Sequence, residues 1–225
     1  MLRTQVPDVH AGRLFGLVHP SGRKDIEQLI NAVYERYLFS NALNSLRFSV
    51  QAGMEREVIE IAGGLVRRSA TEHHGGAMTS GETDSVLMSM LVNRERARAK
   101  GVDRPQILAP LSAHPAYAKA AHYFDMEFVP IPLYAHCRAD VARARTLMTE
   151  RTCVVVASAY SYPHGIMDPV NEVAALARTR CWLSRGRLHL TLSPAHGDVV
   201  DELLGNLDFV VSHHGTSRAK PARYA

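Results

Sequence analysis

Apolar residues along the chain follow two spacings that alternate. Over residues 23–39, Ile26, Leu29, Ile30, Val33, Tyr37 and Leu38 recur at helical spacing and fall on one face, with Ser21 ahead of them as a candidate cap. A second helix is predicted over 54–68. After Gly75-Gly76, Thr79 or Ser80 can start a third that runs to Lys100 and stops at Gly101, a residue that tolerates the left-handed backbone closing a helix.

From residue 106 short continuous apolar runs alternate with helical segments. Strands are predicted over 106–111, 127–131 and 153–158, and helices over 114–124, 139–149 and 170–177, the last opened by Pro169. Strands of a parallel sheet are covered on both faces, so they read as unbroken apolar runs rather than as alternation. The fold class is therefore α/β, a mostly parallel sheet flanked by helices. Beyond 178 the pattern weakens: 188–192 and 207–211 are candidate strands and 199–204 a short helix. The expected division is an N-terminal helical segment (1–70), an α/β unit (71–211) and a polar, basic tail (212–225).

Composition narrows the class. An apolar content of 46% in 225 residues supports a packed core. The longest apolar run, at 153–159, falls far short of the roughly 20 residues that cross a bilayer. A formal charge of +4, without a block of like charges, points away from nucleic acid and leaves an anionic ligand open. Cys137, Cys153 and Cys181 are too widely spaced for a metal knuckle and odd in number, which suits reduced thiols in a cytoplasmic protein. In His73-His74 and His213-His214 neighbouring side chains diverge, so no metal is expected.

Three segments carry candidate chemistry. Residues 78–85 (Met-Thr-Ser-Gly-Glu-Thr-Asp-Ser) open a helix, where free backbone N–H groups can hold a phosphate. The same residues also read as plain caps, with Glu82 and Asp84 complementing the dipole. His114 stands just past the 106–111 strand, fit to stack on a planar ligand or to start the next helix. The Tyr160-Ser161-Tyr162-Pro163-His164-Gly165 loop leaves the most apolar strand, as a site-lining segment or a simple turn.

Taken together and in order, these motifs resemble the sphingosine-1-phosphate lyase group of the group II pyridoxal-phosphate-dependent decarboxylases. Phe39-Ser40-Asn41-Ala42-Leu43 is similar to that group's F-S-N-P-L, Met54-Glu55-Arg56-Glu57 to M-E-x-E, and residues 78–85 to M-T-S-G-G-T-E-S. Ser112-Ala113-His114 resembles T-A-H before an F-x-K-A-A-x-Y-F run, here residues 117–124, and Ser158-Ala159 with Pro163-His164-Gly165-Ile166 resembles S-A-P-x-F-P-H-G-I. The resemblance covers about residues 12–177. It implies a fragment of a fold-type I large domain that binds pyridoxal 5'-phosphate. Ser80, Gly81, Glu82 and Thr83 would hold the cofactor phosphate, His114 would stack on the ring, and Ser158 would line the cofactor site. Asn41 and His164 would face a small phosphorylated amine substrate. It further implies a homodimer, or pairing with a full-length relative.

The chain departs from that pattern in three places. Glu82 replaces the second glycine of the phosphate turn. An H-V-D-A-C strand, whose aspartate meets the pyridinium nitrogen, is missing after Ala177. The T-H-K-Y-G Schiff-base lysine motif is missing as well, and Lys220 has none of its context. Residues 181–189 (Cys-Trp-Leu-Ser-Arg-Gly-Arg-Leu-His) admit codons that, one base later, encode G-C-H-V-D-A-C. A shifted reading frame from about residue 178, partly restored before Leu207, is therefore expected, and with it a catalytically impaired chain.

Overall fold

A computed structural model describes residues 22–41, 43, 44, 46–66, 76–159, 161, 164–180, 188–192 and 209–212. In chain order these give α1 (Lys24–Tyr37), α2 (Ser49–Val66), α3 (Glu82–Arg98), β1 (Gln106–Pro110), α4 (Ala116–Tyr123), β2 (Glu127–Ile131) and β3 (Leu133–Tyr134). They continue through β4 (Arg138–Ala139), α5 (Val141–Leu147), β5 (Thr152–Ala159), α6 (Val170–Arg180), β6 (Leu188–Leu192) and β7 (Phe209–Ser212). The expected α/β alternation is what the chain adopts. The 199–204 helix, Ser21 and both histidine pairs lie outside the described residues.

The five longer strands form one parallel sheet in the order β2-β1-β5-β6-β7. β5 is buried along its whole length, as its run of Cys153, Val154, Val155 and Val156 requires. Its side chains divide between two faces. Val155, Ala157 and Ala159 join Leu108 and Ile131 in a core covered by Ala144 of α5 and by Val170, Val173, Leu176 and Ala177 of α6. Val154 and Val156 join Ile107 and Ala109 under Val86, Met90 and Ala97 of α3 and Ala116, Tyr117 and Ala120 of α4. β2 borders the sheet and carries exposed Pro130, a residue without an N–H to offer a further strand.

The boundaries differ from expectation where side chains act locally. α3 begins at Glu82, with Gly81 as its N-cap and no side-chain cap from Ser80 or Thr79. α2 begins at Ser49, ahead of the expected residue 54. β3 and β4 form a two-residue antiparallel pair where the sequence shows no period. At α5 the Asp140 carboxylate accepts the Arg143 N–H at 2.9 Å, an ordinary N-cap. Among the described residues no helix is long and apolar enough to cross a membrane.

Candidate functional site

The sheet changes direction at β1. From β1 the chain passes through α4 to β2 on one side, whereas β5 on the other side of β1 leads through α6 to β6. The connections leaving the carboxyl ends of β1 and β5 therefore diverge, the topological switch point where open parallel sheets bind ligands in a crevice. His114 follows β1, Ser158 is near the end of β5, and His164 lies in the loop that leaves it.

α3 runs antiparallel to the strands. Near its end, Arg94 Nη1 donates to the Phe124 carbonyl at 3.4 Å and Arg98 Nε to that of Asp103 at 3.2 Å, both beside the amino ends of strands. Its first turn therefore lies at the carboxyl edge, and residues 80–83 share that edge with His114, Ser158 and His164. Asn41 does not. It sits in the exposed connection between α1 and α2, its Oδ1 accepting the Leu43 N–H at 3.1 Å.

Each group has a definite local role. His114 is half-buried and its Nδ1 accepts the Ala116 N–H at 3.2 Å, so the helix-starting role is real. That bond orients the ring and leaves the proton of a neutral imidazole on Nε2. At the α3 turn, Asp84 Oδ2 accepts from the Ser80 N–H at 3.1 Å and from the Ser80 hydroxyl at 3.2 Å. Thr79 Oγ1 donates to the Gly81 carbonyl and is paired with Ser85 Oγ at 2.5 Å. A Cβ added at Gly81 would meet nothing within 4 Å, so the turn opens onto free space.

Ser158 is buried and held through its backbone by Asp168, which the sequence reading passed over. Asp168 N–H donates to the Ser158 carbonyl at 2.9 Å, its Oδ2 accepts the Ser158 N–H at 2.8 Å, and its Oδ1 accepts the Ala139 N–H at 2.9 Å. One carboxylate thus ties the end of β5 to β4 and closes the loop carrying His164. Burial pushes the Asp168 carboxyl above the usual carboxylate range, with the Ser158 and Ala139 N–H groups pulling the other way. The signal for it was Asp168-Pro169 before a helix, which reads as a helix start and hides the two distant partners.

The edge carries an oriented imidazole, and the buried Ser112 and Ser161 hydroxyls have no partner among the described residues, groups whose chemistry suits a planar, polar ligand. The α3 turn suits a phosphate only after Asp84 releases the Ser80 N–H, and Glu82 adds a second carboxylate there.

No family model matches the chain. It is 36% identical to sphingosine-1-phosphate lyase 1 of Mus musculus over 166 residues, 74% of this chain and 29% of that protein. To the sphingosine-1-phosphate lyase of Oryza sativa it is 33% identical over 172 residues, 74% of this chain and 32% of that protein. Over this stretch the chain is a homologue of the sphingosine-1-phosphate lyases. It spans about three tenths of the length of those lyases. The lyase structure from Burkholderia pseudomallei superposes with a TM-score of 0.69 at 30% identity, covering 76% of this chain and 40% of that one. Lactobacillus brevis glutamate decarboxylase superposes at 0.71 with 19% identity over 86% of this chain and 47% of that one, a likeness of fold. The fold also matches Oryza sativa TDC, solved with PLP and tryptamine, at 0.63 and 17% identity over 80% of this chain and 43% of that one. The lyase homologue thus carries the pyridoxal-phosphate large-domain fold.

Proposed function

We propose that this chain binds pyridoxal phosphate at the crevice between β1 and β5 as a cytoplasmic, catalytically impaired relative of the sphingosine-1-phosphate lyases. The observation that carries the reading is the gathering of His114, Ser158 and the 80–83 turn at one topological switch point. His114 would lie against the pyridine ring, held by its bond to the Ala116 N–H. Ser158, fixed by Asp168, would line the pocket floor, and Ser80 to Thr83 would face the phosphate. Pyridoxal phosphate supplies an electron sink for charge that develops on a substrate carbon. The substrate class is a small phosphorylated amine, approached from the side of Asn41 and His164.

The impairment rests on the lysines. The chain has four. Lys24 lies on α1, Lys100 follows the end of α3 at the amino edge of the sheet, and exposed Lys119 on α4 has its Nζ 5.3 Å from the centre of the Tyr123 ring. Lys100 is thus at the opposite edge, Lys119 lies against Tyr123 of its own helix, and Lys220 lies outside the described residues. Borohydride reduction of the chain with pyridoxal phosphate, followed by peptide mapping, should give no stoichiometric adduct. Full labelling of one lysine would overturn the impairment and name the nucleophile. The codons for residues 178–189 test its origin: a frame one base later must encode G-C-H-V-D-A-C.

A second reading is a non-catalytic subunit that pairs with an intact relative or with its own copy. It is favoured by the apolar surface around Asn41, where Phe39, Leu43 and Leu46 are more than nine-tenths exposed.

A further inference from the structure

We infer that Ser112 and Ser161 form a hydroxyl pair that hydrogen-bonds the polar ring substituents of a pyridoxal-class ligand, a planar heteroaromatic carrying a hydroxyl and an aldehyde. This rests on the reading of the crevice as a pyridoxal-phosphate site and extends it to two residues with no role so far.

The case begins with their burial. Ser112 is 5% exposed and Ser161 1%, and neither Oγ has a hydrogen-bond partner among the described residues. Folded proteins pair nearly all such groups, because a buried hydroxyl without a partner has given up water for nothing. Ser161 makes the point sharply, since its backbone is fully engaged. Its N–H donates to the Ile166 carbonyl at 2.8 Å, and its carbonyl accepts the Gly165 N–H at 2.8 Å. Position is fixed and only the side chain is left unused.

Their placement says what uses them. Ser112 leaves β1 and Ser161 leaves β5, and these strands are neighbours with Leu108 opposite Val155. Continuing that register puts Ser112 opposite Ala159, two residues before Ser161, so both serines leave the sheet at the switch point, on strands about 5 Å apart. Ser112 is also two residues from His114, the group set to meet the face of a ring. The anion-directed N–H groups lie instead on the first turn of α3, so the hydroxyl pair falls to the ring and not to the phosphate. A third unpartnered hydroxyl, Ser89, lies in the middle of α3, away from the edge, and serves as the control.

The test titrates the purified chain with pyridoxal phosphate, pyridoxal and inorganic phosphate, for wild type, Ser112→Ala, Ser161→Ala and Ser89→Ala, alongside urea unfolding without ligand. Ser112→Ala and Ser161→Ala should each weaken pyridoxal phosphate and pyridoxal roughly tenfold and leave inorganic phosphate unchanged. Their unliganded stability should hold or rise, since an unpartnered polar group has been removed, and Ser89→Ala should change no affinity. The inference is overturned if both variants bind pyridoxal like wild type, if only inorganic phosphate is weakened, or if unliganded stability falls as it would for satisfied hydroxyls. Wild type binding neither pyridoxal compound would sink the site reading and this inference together. Wild-type binding with unaffected variants would sink the inference alone.

Discussion

The sheet with its helices and the helical arm α1–α2 obey opposite rules of burial. In the sheet unit the strands β1 and β5 and the helices on them spend their apolar faces: Leu108, Ile107, Val154 to Val156, Tyr117 and Met90 are inaccessible to water. In the arm the faces are unspent. α1 buries no residue, and Leu29, Ile30 and Val33, which its helical period aligns, are 63%, 60% and 44% exposed. The arm continues into Phe39, Leu43 and Leu46 and then into Val50 and Ile61 of α2, all exposed. Amphipathic patterning is thus equally clear in both regions, yet only one of them supplies its own partner surface. The difference bears on function, because Asn41 belongs to the arm while His114 and Ser158 belong to the sheet. A site uniting them depends on where the arm docks.

The sharpest way to break the comparison uses one substitution in both regions. Leu108→Ala should cost about 3 kcal/mol in urea unfolding, from lost burial and the cavity left between β1 and its covering helices. Leu29→Ala should change stability by less than about 0.5 kcal/mol. Comparable losses would mean that the arm packs on the sheet unit in the isolated chain.

Next in size is Asp168. Asp168→Ala removes the acceptor of the Ser158 and Ala139 N–H groups and should cost about 1–3 kcal/mol, confined to the sheet unit. Its pH signature has a fixed sign. Burial raises the folded-state pKa above the unfolded one, so the folded chain holds this proton more tightly in the window between the two values. The resulting stability is complete below the unfolded value and is lost as pH rises through the folded value. Asp168→Asn should lack that decline in a pH series of urea curves. An identical slope in the variant would assign the decline to other carboxyls.

A smaller effect is expected where the two regions meet, at the segment before α3, whose Met78 N–H is accepted by Glu55 Oε1 of α2 at 3.0 Å. Glu82 opens α3 and puts a carboxylate on the turn proposed to face the phosphate. Glu82→Gln should tighten pyridoxal phosphate about fivefold, near 1 kcal/mol for a partly screened pair of like charges, and the gain should shrink in high salt. Unchanged affinity would show that the side chain turns away from the turn.

Much of the sheet unit was legible, because parallel strands buried on both faces must be written as apolar runs, as 106–110 and 152–159 largely are, while the bordering strand 127–131 reads from Phe128, Val129 and Ile131. The 80–83 turn, His114 and Ser158 were legible as an ordered set of motifs. Other features were not. β3 and β4 have two residues each, too short to show a period. Asp168 acts through the backbone of Ser158 and Ala139, and nothing in Asp-Pro announces partners ten and twenty-nine residues away. That Ser112 and Ser161 lack partners is a property of the packed edge, invisible in a string where serine is an ordinary turn residue.

The smallest effect on folding carries the most weight for the arm. Leu29→Glu with Val33→Glu puts charges on a face already open to water, so urea stability in dilute solution should stay within about 0.5 kcal/mol of wild type. Association should not. If α1 covers its apolar face with a second copy of the chain, sedimentation of wild type across a concentration series should show self-association that the double variant loses, because a buried carboxylate without a partner opposes docking. A wild type that stays monomeric throughout leaves the arm to a different protein, such as an intact relative. A double variant that unfolds several-fold more easily in dilute solution would return the arm to its own sheet and dissolve the contrast between the two regions.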